Sequence, residues 1–586
     1  MSSSDGRKPL DLGNGRLAAS FDWTTAGWLS IGAPHPTQGF VELNAAPPFD
    51  EASRGDPAAT RRYRESLADG AFAFLSVLID GAATTLEPDP SSLVPSWRAD
   101  GLRATCEATP EGVRQRWRFE RDGSGISLHV RGRLDRPALA EITELDPPRP
   151  TGAVTTLATD GAHVTVRADA LSSAVVIGVS GARADWERTA DGVVGHVTWS
   201  TPSLPRELVL DVAFDGSVGS GLPPPAHGSD ALTTRAVAYV RGCTALATGP
   251  AERVVLTDHR LLPLSWTRDS YWQALALLVT DETGDREIVA DHLRWLWRRC
   301  ERPDGRWVRS HHADGRRKDM AFQADQQLYP LLELADYWRR SGDLPAGVEW
   351  EPSIARAWDV VLEAVDPATS LLATDENAAD DPASAPFIAA SQILLWYTAR
   401  RAGEMVTQGV LRLDPTTFTA AADAVREAFT GHFATGGGPW PYAVDALGTT
   451  VRYHDANDLP VALAPLWGFC APDDPGWAAT MAFAFSSANP AFVSGRLSGL
   501  GSAHTPGIWT LGDVQAWIRA RASGDAAGMG AAARRLAASA FDDGMLPEAY
   551  DADAGRRVRT WFAWPGAAYA ALTTLERGAR LATIAA

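Results

Sequence analysis

The chain has 586 residues, 22 of them tryptophan and four cysteine, and carries a formal net charge of −18 at pH 7. That length holds two or more domains with sizeable cores, and the acidic balance argues against nucleic-acid binding. The tryptophan load asks for a large aromatic core or an aromatic-lined sugar cleft.

Cys106, Cys243, Cys300 and Cys470 lie far apart, which fits neither a zinc site nor a disulfide framework. The opening Met1-Ser2-Ser3-Ser4 has no apolar stretch of signal-peptide type, and no apolar run reaches membrane-spanning length. A cytoplasmic protein with no membrane partner is therefore expected.

Residues 1–222 read as β structure. Val113, Gln115, Trp117 and Phe119 alternate with Arg114, Arg116 and Arg118, and Ile126, Leu128 and Val130 repeat the period of two. Asp122-Gly123, Asp160-Gly161 and Asp191-Gly192 mark hairpin turns. Many short strands without intervening helices predict an antiparallel β-sandwich. Residues 223–228, Pro-Pro-Pro-Ala-His-Gly, form a semi-rigid linker and a domain boundary.

From 229 to 586 the period is helical, with Ser229 as the first cap. Twelve helices are expected, starting near 229, 265, 285, 321, 351, 386, 414, 457, 476, 506, 525 and 562. Twelve helices in consecutive pairs suffice for a closed barrel of six inner and six outer helices. Connections of one parity are short and bland, such as Asp281-Glu282-Thr283-Gly284. Those of the other parity hold most of the tryptophans, histidines and paired charges. In antiparallel hairpins all connections of one parity share one end, so the rich loops converge on one rim.

Those loops supply the candidate site. Arg268 and Asp269, flanked by Trp266 and Trp272, offer a fork of donors and a carboxylate acceptor for sugar hydroxyls, or a plain ion pair at a helix start. Trp307, Gln323 and Asp325 precede or open the fourth helix; Gln323 and Asp325 fit hydroxyl ligands and ordinary helix-start solvation equally. His311 and His312, being adjacent, make a poor metal pair. Asp375, Glu376, Asp380 and Asp381 crowd one loop, where like charges raise one another's pKa and keep a proton donor protonated; an acidic capping loop or a calcium site is the plainer reading. Trp440, His454, Asp455 and Trp509 come from later rim loops. Glu548 sits between Pro547 and a tryptophan-bearing helix start, where a carboxylate can activate water, though Trp564 there could equally pack in a core.

Gly436-Gly437-Gly438 reads as a helix stop, Asp551-Ala552-Asp553 fails EF-hand spacing, and neither a Gly-x-Ser-x-Gly elbow nor a His-Glu-x-x-His helix occurs.

The run Trp266-Thr267-Arg268-Asp269-Ser270-Tyr271-Trp272, the run Leu546-Pro547-Glu548-Ala549-Tyr550 with Trp561-Phe562-Ala563-Trp564, the acidic loop before the sixth helix and the early Leu12-Gly13-Asn14-Gly15 resemble the six-hairpin glycosidases, the superfamily of glucoamylases, bacterial glucodextranases and related exo-α-glycosidases. The resemblance implies an N-terminal β-sandwich followed by an (α/α)6 barrel. It implies an inverting exo-glycosidase on α-linked glucosides or similar oligosaccharides, with Glu376 as general acid and Glu548 as general base. Asp380 and Asp381 stay open as alternative acids, because the glucoamylase acid follows a tryptophan and Glu376 follows Asp375. Arg268 and Asp269 would hold the terminal sugar, with Trp266, Trp440 and Trp564 as walls. No redox cofactor is required, and a structural calcium ion is left open. A glycoside phosphorylase and a non-catalytic carbohydrate-binding barrel share this architecture.

Overall fold

The computed structural model describes residues 8–53, 56–89, 92–121, 125–137, 155–200, 203–215, 230–553 and 562–585. It divides into two compact units. The first comprises residues 1–265 with the short excursions 312–318 and 542–544, and the second comprises 266–311, 319–541 and 545–586.

The first unit is built on two antiparallel sheets of ten and eight strands. In the eight-stranded sheet, strand Gly112–Phe119 lies between Leu102–Ala108 and Arg206–Asp215. Its alternation puts Val113, Gln115, Trp117 and Phe119 inward and the arginines outward. The core joins Trp28 and Phe21 to Trp97, Trp117 and Leu210. Buried Gln115 takes both the Trp28 and Trp117 indole N–H groups on one oxygen, at 2.8 and 3.0 Å. The hairpins expected at Asp160-Gly161 and Asp191-Gly192 are present; Asp122-Gly123 lies outside the described residues.

Helices α1 (Pro57–Leu67) and α2 (Ala231–Tyr239) also belong to this unit. The expected linker 223–228 and cap Ser229 lie outside the described residues; Asp230 caps α2 through the Thr233 N–H at 2.9 Å. Residues 230–265 pack with the sheets, so the division between units falls at Ser265 and Trp266.

The second unit is helical: α3 (Thr267–Thr280), α4 (Asp285–Arg294), α5 (Ala324–Ser341), α6 (Trp350–Glu363), α7 (Ala389–Thr407), α8 (Pro415–His432), α9 (Leu459–Trp467), α10 (Pro475–Ala484), α11 (Thr510–Ala522), α12 (Ala526–Ser539) and α13 (Ala563–Ala585). All twelve expected helices start within four residues of their expected positions, but the first of them, α2, belongs to the first unit and not to the helical domain expected to begin at 229, so the ring of six carries five further helices among the described residues and not six. Helices α3, α5, α7, α9, α11 and α13 contact one another in that order, and α13 returns to α3, closing a ring. The helices between them pack onto the preceding ring helix. The two layers differ in burial as their sequences dictate. Helix α3 buries every residue from Thr267 to Val279, whereas α6 buries only the stripe Trp350, Ile354, Ala357, Trp358, Val360 and Val361.

Candidate functional site

Helices α3, α5, α7, α9 and α11 are each entered through a long lead-in loop, and the loops on this side are stitched together by short pairings. Phe387–Ile388 pairs with Ala443–Val444, and Ile508–Trp509 pairs with Ala549–Tyr550. The Glu376 amide reaches the Phe322 carbonyl at 3.3 Å. Helix starts favour carboxylates, and Asp269, Asp325 and Asp513 occupy first turns.

The centre of the site is Arg268, buried at the start of α3. Its guanidinium lies 3.2 Å from Asp269, 3.3 Å from Asp325 and 3.6 Å from Asp380. Burial works against its charge, but these three carboxylates outweigh it and hold the group firmly ionised. The guanidinium also lies over the Trp564 ring, 5.6 Å from its centre.

Opposite is the acidic loop, folded by Asn377, whose side chain accepts the amides of Ala379 and Asp381. Asp380 takes a left-handed φ of +66°, which aims its carboxylate at the Trp266 indole N–H, 3.0 Å away, and the Gln323 amide, 2.8 Å away. Such a conformation in a non-glycine residue persists where its surroundings hold it. Gln323 also donates to Glu376 at 3.0 Å. Arg309 donates to both Glu376 oxygens, at 3.0 and 3.2 Å, and braces itself on Asp319.

Glu376 is half-buried, and its pKa is raised, chiefly by burial. Arg309 and the Gln323 hydrogen bond oppose the rise and Asp380 adds to it. Crowding of carboxylates is thus a minor cause, contrary to the expectation from the loop's composition. Asp381 turns outward to His504 at 3.2 Å. Asp325 is also pushed up, first by burial, with Arg268 opposing.

Glu548 is buried and lies beside the start of α11. Its carbonyl accepts the Thr510 amide at 3.0 Å, and the preceding Pro547 carbonyl accepts the Thr510 hydroxyl. Asp455 accepts from Asn457, Tyr453 and Ser502, and His454 bonds Gln515 at 2.8 Å. Burial pushes the His454 imidazole pKa down.

Of the expected residues, Trp266, Arg268, Asp269, Gln323, Asp325, Glu376 and Trp564 come together with Asp380. Other tryptophans pack elsewhere. Trp307 is fully buried, edge-on to Trp297 and covered by Arg302; Trp440 packs on Phe429 and Phe469; Trp509 donates its N–H to the Thr505 carbonyl. Sequence reasoning missed Arg309, the ion-pair partner of Glu376. Its one signal was a lone cation between Trp307 and His311, in a loop facing an acidic one. Among the described residues, no group of three or more His, Cys, Asp or Glu is placed to hold a metal ion.

Residues 361–574 match the family model described as metal-independent alpha-mannosidase (GH125), a span containing Glu376, Asp380 and Glu548. A bacterial glucoamylase in complex with acarbose superposes with TM-score 0.62 at 11% identity, over 97% of this chain and 94% of that one. A metal-independent alpha mannosidase from Streptococcus pneumoniae, in a non-productive complex with alpha-1,6-mannobiose, gives TM-score 0.50 at 20% identity, over 59% of this chain and 93% of that one. No curated protein matches. The chain resembles the six-hairpin glycosidases in fold, and the matched family model is described as metal-independent, in keeping with the expectation of no required cofactor.

Proposed function

We propose that this chain is an exo-acting, inverting glycoside hydrolase whose substrate is a terminal α-mannoside. The observation that carries the reading is a proton-donor candidate, Glu376, hung with Asp380 on the Gln323 amide beside the Arg268 clamp. It lies within the segment that matches the α-mannosidase family model. That match supports mannose over the glucose favoured by the sequence motifs alone.

Glu376 protonates the leaving glycosidic oxygen, its raised pKa keeping a proton available. Glu548 takes a proton from water as that water attacks the anomeric carbon from the opposite face. The C1–O bond to the leaving group breaks and a new C1–OH forms with inverted configuration. Inversion requires the two carboxyl groups to stand roughly 6.5–9.5 Å apart. Arg268, Asp269, Asp325 and Asp380 hold the hydroxyls of the terminal sugar, and Trp266 and Trp564 flank it.

Proton NMR of fresh reactions on α-1,6-mannobiose, with and without phosphate, tests the proposal. Phosphate-independent release of β-mannose is expected. Initial α-mannose overturns inversion, mannose phosphate makes the chain a phosphorylase, and turnover of α-glucosides alone overturns the sugar. Glu548→Gln should reduce hydrolysis about 10²–10⁴-fold while binding persists.

A further inference from the structure

The cleft that holds Glu376 has a second acidic wall that the proposed mechanism leaves unused. Asn457 and Asp458, at the start of α9, line it together with Asp325, Tyr329 and Glu376. Asp455 and Asp458 are both buried. Asp455 is saturated. One oxygen accepts the Asn457 amide and side chain, at 2.9 and 2.8 Å, and the other accepts the Tyr453 and Ser502 hydroxyls, at 2.5 and 2.8 Å. Asp458 spends one oxygen on the Asp455 amide, at 3.0 Å. Burial first, and then the Asp455 charge, push the Asp458 carboxyl pKa well above the ordinary range, and its second oxygen is left for the cleft.

We infer that Asp458 is a specificity residue that donates its carboxyl O–H to an oxygen of the bound sugar. The inference rests on the glycosidase reading. Glu376 is committed to the glycosidic oxygen, and the Asp325 oxygens accept from Arg268 and the Gln326 amide, while the other sugar oxygens still need donors. Arg268 supplies them on one side; Asn457 and Asp458 supply them on the other.

The ionisable groups around Asp458 are Asp455, Tyr442 and Tyr453, whose hydroxyl pKa values rise with burial and these carboxylates, buried His454, and Asp325, Tyr329 and Glu376 across the cleft. From the flanking helices, α7 presents Ser391 and α11 presents Gln515, neither ionisable, while Asp513 on α11 turns to Arg535 and Tyr550.

The test is calorimetric titration of the full chain carrying Glu376→Gln with α-1,6-mannobiose across the pH range. Affinity should fall as pH rises and Asp458 loses its proton. Adding Asp458→Asn, whose amide still donates, should keep affinity within about threefold and flatten the profile. Adding Asp458→Leu should weaken binding about tenfold at low pH. A pH slope that survives Asp458→Asn, or unchanged affinity in Asp458→Leu with an intact thermal melt, overturns the inference and leaves the glycosidase reading standing. If neither mannobiose nor maltose binds the Glu376→Gln chain, both fall.

Discussion

Gln323 donates from a single side-chain nitrogen to two carboxylates, Glu376 at 3.0 Å and Asp380 at 2.8 Å. Its oxygen accepts from Gln326 at 3.0 Å and Arg268 at 3.5 Å, so the amide is oriented from both ends. A flipped amide would set oxygen against oxygen on both carboxylates. The two acidic candidates are therefore one unit held by one side chain.

Gln323→Ala releases both carboxylates at once. A charge-assisted hydrogen bond contributes about 1.5–3 kcal/mol, so losing the equivalent of one in the transition state should lower kcat/KM about 10–100-fold. Steady-state kinetics on the disaccharide checks this, and a change under about threefold removes Gln323 from the working site.

The neighbours of Glu376 act on its pKa with opposite signs. Arg309 favours the carboxylate, and Asp380 disfavours it. If Glu376 is the acid, its deprotonation sets the alkaline limb of the kcat/KM profile. Arg309→Met should move that limb to higher pH, because the charged form loses its partner. Asp380→Asn should move it to lower pH, because a like charge is gone. Limbs that shift the same way, or not at all, assign the acid elsewhere.

The helices were legible because each carries local signals. Asp414 with Pro415 and Asp474 with Pro475 pair a capping carboxylate with a proline in the first turn, and each caps a helix here. The parity of the rich loops was legible for the same reason, since it follows from counting helices. Arg309 and Glu376, 67 residues apart, meet only through packing of neighbouring lead-in loops, and no period announces that. Tryptophan roles were half legible. Trp266 and Trp564 lie beside charged groups of the site and Trp307 and Trp440 lie in cores, yet the sequence shows the same residue in all four.

Tyr550 lies two residues after Glu548, and its hydroxyl donates to Asp513 at 2.6 Å while accepting from Arg535 at 3.1 Å. This buried bond ties the strand after Glu548 to the first turn of α11. Tyr550→Phe removes it without changing shape. We expect a loss of about 1–3 kcal/mol of stability. Loosening of the candidate base should also lower kcat about tenfold with KM within twofold. A stability loss without any kcat change would make the triad purely structural.

Glu333 on α5 is buried, and within the described structure neither carboxyl oxygen has a hydrogen-bond partner; His292 stands 4.0 Å away. Burial, aided by the Asp336 charge, raises its pKa well above the ordinary value. The folded chain then holds a proton that the unfolded chain releases near pH 4–5, roughly the ordinary glutamate range. Stability must fall as pH rises above that range, by about 1.4 kcal/mol per unit, until the folded pKa is passed. Glu333→Gln keeps the shape and has no proton to lose. Its stability relative to the wild type should therefore grow with pH when both are unfolded in urea at pH 5 and pH 8. A buried His292–Glu333 ion pair predicts the reverse, since breaking it would destabilise the variant at both values.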